Sequence, residues 1–290
     1  MKMKKRIIFL LVAVMAVVLL VASPLLAKNI YVDGSNGGYA NGVSWETAYP
    51  NLQPALDEAL SGDIIKVAEG TYTPGNNRND SFVLKSGVNL YGGYPRQGHG
   101  IRDCRRHFTI LSGEIGTIGD AGDNVFHVVR GDHVNDARLD GFIIAGGNTT
   151  GSTFDERQGG GLRLADCDNI TLDRCTFRDN RGAHGGALAV IAGQVQGFHL
   201  FFAGNQATSY GGAVYVSGGS IELTGTEFQR NSASTGGGMA VDDSGKATVG
   251  NALFNGSRAN IGGGLCVCND SSLLLRNVTV CNSTASNDGA

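Results

Sequence analysis

Through the second half of the chain, apolar and polar residues alternate in short runs that return at a fixed interval. The triplets GGG, GGA, GGA, GGG and GGG end at residues 161, 187, 213, 238 and 264, so the intervals are 26, 26, 25 and 26. Two apolar positions, one residue apart, follow each triplet: Leu162 and Leu164, Leu188 and Val190, Val214 and Val216, Met239 and Val241, Leu265 and Val267. A period of two marks a strand with one buried face. A second alternating stretch comes later in each unit, such as Ile170, Leu172, Cys175 and Phe177. Phe177, Phe202, Phe228 and Phe254 occupy equivalent places, with Val280 in the last unit, and three residues further on stand Asn180, Asn205, Asn231, Ser257 and Ser283.

Such a unit has no helical period and cannot bury its apolar face alone, so equivalent positions must stack on neighbouring units. Stacking in register about 4.8 Å apart builds continuous parallel sheets. Closing three of them into a coil predicts an all-β, right-handed parallel β-helix with 25 or 26 residues per coil. The Phe column then fills the interior and the Asn column bonds the turn backbone. The pairs Gly185 and Gly186, Gly211 and Gly212, Gly236 and Gly237, Gly262 and Gly263 permit tight corners.

Upstream, residues 137–148 align more loosely with 170–180, pairing Leu139 with Leu172 and Ile144 with Phe177, so the coil begins before the clean repeats. Apolar stretches at 63–72, 81–95 and 108–115 read as irregular first rungs. Leu52, Ala55, Leu56, Ala59 and Leu60 have helical spacing within 51–62, with Gly62 as the stop. A short amphipathic helix there would cap unpaired strand edges. The expected organisation is a signal peptide at 1–27, a cap with irregular coils at 28–124, and regular coils at 125–290, cut off mid-repeat at the closing DGA.

Lys2, Lys4, Lys5 and Arg6 precede an uncharged apolar run from Ile7 to Ala22 and a segment ending at Ala27, the layout of a cleaved Sec-type secretory signal. It predicts an extracellular or outer-surface protein without a membrane span after cleavage. Taking those four residues from the 23 basic ones leaves 19 against 26 acidic, a balance of −7. That balance excludes nucleic acid as the expected partner and favours an extracellular glycan or a host or neighbouring cell surface. Six cysteines lack the spacing of a stapled framework. A bridge from Cys167 to Cys175 stays open, beside a buried thiol role for Cys175.

The signatures G-G-A-[ILV] and F-x-x-N occur here as GGAL (185–188), GGAV (211–214), FRDN (177–180), FAGN (202–205) and FQRN (228–231). They resemble the repeat of chlamydial-type polymorphic outer-membrane proteins, from which FNGS (254–257) and VCNS (280–283) depart. The opening segment, with IYVDG (30–34), GDIIKVAEGTY (62–72) and LYGGYP (90–95), is similar to the start of secreted pectate-lyase-like β-helix proteins. Both resemblances imply export and a β-helix, and such coils serve adhesins, autotransported passengers and polysaccharide-acting enzymes alike.

A lyase of that fold would need calcium-binding carboxylates on one sheet and an Arg or Lys base. The position two residues after each glycine triplet, expected to face outward, reads Arg163, Ala189, Tyr215, Ala240 and Cys266, without a carboxylate. Asp166, Asp168, Asp173 and Arg174 lie in one unit and Asp242 and Asp243 in another, where solvated turns account for them. No catalytic residue, metal set or cofactor is assigned, and calcium enters only under the lyase alternative.

Insertions in a solenoid become loops that shape its binding face. Residues 94–107 gather Arg96, Arg102, Arg105 and Arg106 with His99 and His107, and guanidinium groups suit the carboxylates of uronic acids or anionic glycans. Residues 148–158 form a second, polar insertion. Tyr215 and with it Tyr210 are the expected outward aromatics for stacking on a sugar. Arg96, Arg102, Arg105, Arg106 and Tyr215 are thus the candidate ligand-binding residues of an adhesin-like or glycan-binding protein without catalysis. The alternative is an extracellular lyase acting on acidic polysaccharide.

Overall fold

The structure, a computed structural model, describes residues 27–151, 153 and 155–289, so the expected signal peptide lies outside the described residues except for Ala27. One coil shows the pattern of all the regular ones. The strand Leu162–Asp173 bends at 166–169, and Thr176–Arg178 and Arg181–His184 follow. The coil therefore has four faces rather than the expected three: a first at 162–165, a second at 170–173, a third at 176–178 and a fourth at 181–184.

The extra face arises from single residues in the left-handed backbone region. Arg174, His199, Gly225, Asn251 and Asn277 hold φ between 49° and 66° where the second face meets the third. Asp179, Gly204, Arg230, Gly256 and Asn282 hold φ between 51° and 68° where the third meets the fourth. One such residue redirects a strand without a loop, and Gly, Asn and Asp adopt that conformation most readily.

All pairing is parallel. Leu162 pairs with Leu188, then Val214, Met239 and Leu265, so the sequence intervals are the rung intervals. Leu139 pairs with Leu172 and Ile144 with Phe177, an offset of 33. The offset is still 33 at Asn148 with Arg181 and is 26 at Gln158 with His184, so the seven extra residues form the 148–158 insertion. In the same way the offset rises from 26 at Ala68 with Tyr94 to 39 at Gly70 with Thr109, which places 13 extra residues in the arginine-rich loop. Among the described residues 20 strands join in one continuous sheet, beside two 2-stranded sheets.

The interior repeats side chain by side chain. Phe177, Phe202, Phe228 and Phe254 are fully buried, with successive ring centroids 5.0, 4.9 and 4.1 Å apart and nearly parallel. Asn180 Nδ2 donates to Ile144 O at 3.0 Å and to Asn205 Oδ1 at 3.1 Å. Asn205 Nδ2 donates to Phe177 O and to Asn231 Oδ1, and Asn231 Nδ2 to Phe202 O. The peptide N–H groups of Asn180 and Asn205 also donate to the next amide oxygen, so each of these amide oxygens accepts from the preceding coil while each Nδ2 also reaches back to a carbonyl of that coil.

The glycine pairs work at close quarters. Gly185 has φ 63°, and a Cβ there would collide with the Leu188 carbonyl; at Gly186 it would collide with the carbonyls of Gln206 and Gly212. Each corner folds back over the outer side of the first face. Arg163, Ala189, Tyr215 and Ala240 are consequently buried, which corrects the expectation that this column faces solvent.

Helix α1, Leu52–Glu58, is shorter than expected, because Ala59 already has extended geometry and Asp63 Oδ2 accepts from the Leu60 N–H in place of another helical turn. Its Leu52, Ala55 and Leu56 join one core with Ile30, Val32 and the residues of every later coil through Phe254. Leu275 and Val280, in register with buried Val249 and Phe254, remain 43% and 41% exposed. Among the described residues no helix is long and apolar enough to cross a membrane.

Candidate functional site

The arginine-rich loop divides its own charges. Asp103 organises it, accepting the Arg105 N–H on Oδ1 and the Arg106 N–H on its carbonyl, with Arg106 Nε 3.5 Å from Oδ2. Arg96, Arg105 and Arg106 are exposed. Arg102 instead turns inward: its Nε donates to Gly92 O at 2.7 Å, its Nη2 to Asp140 Oδ1 at 2.5 Å, and its guanidinium lies over the Tyr91 ring. Arg102 is therefore a clamp that fastens the loop to the coil, which corrects its expected place among free ligand-binding arginines.

Asp140 is the centre of a wider network on the second face. Its side chain is 1% exposed and also receives Arg138 Nη2 at 3.0 Å and Arg174 Nη2 at 2.5 Å. Asp173, its partner on the next rung, receives Arg138 Nη2 at 2.6 Å, with Arg174 Nη2 at 3.4 Å and His199 Nδ1 at 3.3 Å. Burial alone would raise the Asp140 pKa, but the hydrogen bonds from Arg174 and Arg102 outweigh it and hold the carboxyl below its ordinary value. The same hydrogen bond raises the pKa of Arg174.

Two carboxylates side by side on adjacent rungs are what general acid–base work or calcium binding requires. Here both are occupied by guanidinium groups, which do not lose a proton near neutrality. The cluster acts as a fixed electrostatic patch of three cations and two anions, with Arg174 and His199 at its exposed edge. Sequence reasoning named Asp173 and Arg174 without a role and passed over Arg138 and Asp140. The pairing of Leu139 with Leu172 was the available signal, because it places Asp140 directly against Asp173.

Tyr215 does not meet solvent. It is 4% exposed, its hydroxyl donates to Asp242 Oδ2 at 3.3 Å, and its ring lies 5.1 Å from His184 and 6.1 Å from Tyr210. The corner residues that cover the first face remove it from any sugar-stacking role. Burial, aided by Asp242 and Asp243, raises its pKa. Further along this face Arg163 pairs with Asp132, which Arg130 Nε also meets at 2.9 Å. His127 is buried, with Nδ1 3.0 Å from Gly159 O, and burial pushes its pKa down to about 4.

Cys167 and Cys175 do not bridge; each is a buried thiol bonded to a different carbonyl, Ala165 O at 3.2 Å and Asp173 O at 3.4 Å. Burial pushes the Cys175 thiol up to about 12. Among the described residues no three His, Cys, Asp or Glu side chains converge as a metal-binding group.

Residues 122–285 match the family described as right-handed β-helix region. The chain belongs to that family. No curated protein matches this right-handed β-helix in sequence. Among solved structures, pectate lyase Pel9A is similar at 14% identity and TM-score 0.51, the match covering 91% of this chain and 80% of that one. The pectin methylesterase from Aspergillus niger is similar at 13% identity and TM-score 0.46, covering 93% and 91%. At this identity the likeness to Pel9A is one of fold.

Proposed function

We propose that the chain is an exported β-helix that binds glycans outside the cell or at its surface without catalysing their breakdown. One observation carries this reading: the carboxylate pair on adjacent rungs, Asp140 and Asp173, is taken up by Arg102, Arg138 and Arg174. The exposed Arg96, Arg105 and Arg106 offer charged contacts to an acidic sugar. The basic and apolar leader supports export, and the chlamydial-type G-G-A and F-x-x-N units support an adhesin-like surface role. The full chain is expected to bind at least one acidic glycan of an immobilised panel and to leave its chain length unchanged on prolonged incubation. Depolymerisation of any bound glycan would overturn the reading.

The second reading, an extracellular polysaccharide lyase, is favoured by the fold likeness to pectate lyase Pel9A and by the exposed His199 beside Asp173. It requires a rise in unsaturated-uronide absorbance on polygalacturonate or alginate with calcium present, abolished by His199→Ala. Calcium would belong to that reaction only.

A further inference from the structure

The outer side of the third and fourth faces carries a surface not yet given a role. Two adjoining depressions of about 610 and 440 Å³ meet at Ser232. Arg230 and Arg258 line the larger, and Arg181 lines the smaller. Among the described residues no Asp or Glu lines either one, although the chain carries 26 acidic residues. Among the described residues no ion pair joins Arg181, Arg230 or Arg258 to an acid, whereas Arg102, Arg138 and Arg174 are all paired.

The register makes these charges a linear array. Arg181, Gln206, Ser232 and Arg258 are partners on successive rungs, so Arg181 and Arg258 stand three rungs apart, roughly 14 Å at the spacing of parallel strands. Arg230 lies on the intervening rung, two residues before Ser232. That spread exceeds a single small anion and suits successive acidic groups on an extended chain. Amides line the same trough: Asn282 Nδ2 donates to Asn255 Oδ1 at 3.0 Å, leaving further donors and acceptors for hydroxyl groups.

The bend between the third and fourth faces carries Arg230 into this surface. Arg230 has φ 52°, at a bend where the rungs on either side carry Gly204 and Gly256.

We infer that this trough binds an extended anionic polysaccharide, its carboxylate or sulfate groups held by Arg181, Arg230 and Arg258. The inference rests on the glycan-binding reading and assigns it a site apart from the arginine-rich loop. The test uses the full chain with polygalacturonate, dextran sulfate and neutral dextran at low and physiological salt. Binding is expected to one or both acidic polymers and not to neutral dextran, to weaken with salt, and to fall about tenfold for each of Arg181→Gln, Arg230→Gln and Arg258→Gln. The tighter polymer identifies the acidic group. Arg276→Gln, an exposed arginine on the second face, should bind as the parent does. Singly substituted chains that keep the parent circular dichroism and bind undiminished overturn the site and leave the glycan-binding reading standing. A parent chain that binds no glycan overturns both, and equal binding to neutral dextran overturns the role of charge.

Discussion

From Phe177 to Phe254 the third face places one ring on another, and from Asn180 to Asn231 one amide on another. In the earlier coils Tyr72, Leu111 and Ile144 occupy the corresponding positions, and the rung intervals vary from 25 to 49 because loops intervene. The regular half is held by neutral groups that repeat. The earlier half is held in part by groups that titrate, among them Asp140 and His127. Repetition therefore ties the later coils together chiefly through neutral groups, while the arginine-rich loop of the earlier coils is fastened by charge.

The largest test of this contrast is Phe202→Ala, which removes a fully buried ring stacked on both sides and is expected to cost about 4 kcal/mol in urea unfolding. A loss under about 1 kcal/mol would show that the stack does not carry the regular half. Next comes Asp140→Asn, expected to cost about 3 kcal/mol because it leaves Arg102 without its anion and three clustered guanidinium groups facing Asp173 alone. Its folded pKa lies below the ordinary value, so its contribution is complete above about pH 4 and disappears as pH falls through the folded value. The variant should lack that acid-induced loss.

His127 sets a separate window. With the folded pKa near 4 and the unfolded value about 6.5, the unfolded chain takes up the proton first, so stability falls as pH drops from about 6.5 toward 4, by about 3 kcal/mol in all. Urea midpoints of the parent and of His127→Gln should converge at acid pH; parallel profiles would remove His127 as the cause. Asn205→Ala is expected to cost about 2 kcal/mol at every pH, since it deletes ladder bonds between neutral groups. Arg106→Gln should change stability by less than about 0.5 kcal/mol, because its side chain is 82% exposed and its contact with Asp103 is long. Amide exchange during mild acidification would show whether the earlier coils open first.

The strands and their order were legible because each rung repeats its neighbour: the spacing from Leu162 to Leu265 fixed the register, and even the looser match of Leu139 with Leu172 gave the true partner. The outer surface was less legible. Tyr215 was expected to face solvent by alternation, yet alternation describes only the strand and is silent about the glycine corner that folds over it. Arg102 and its loop neighbours share one composition, and only the path of the chain sends Arg102 to Asp140 while Arg105 stays outside. The trough around Ser232 was hidden for a related reason, since Arg181 and Arg258 are 77 positions apart in the chain and fall into one column, three rungs apart, only through stacking.

The one-way amide ladder also governs how such a molecule could change in length over evolutionary time. Because each amide oxygen accepts only from the preceding unit, duplicating or deleting one whole unit restores every bond across the seam. A partial duplication would displace the alternation and turn apolar side chains outward. Growth is thus quantised, in increments of about 4.8 Å, and the stretch of polymer that the surface can span would be set by a count of copies rather than by new design.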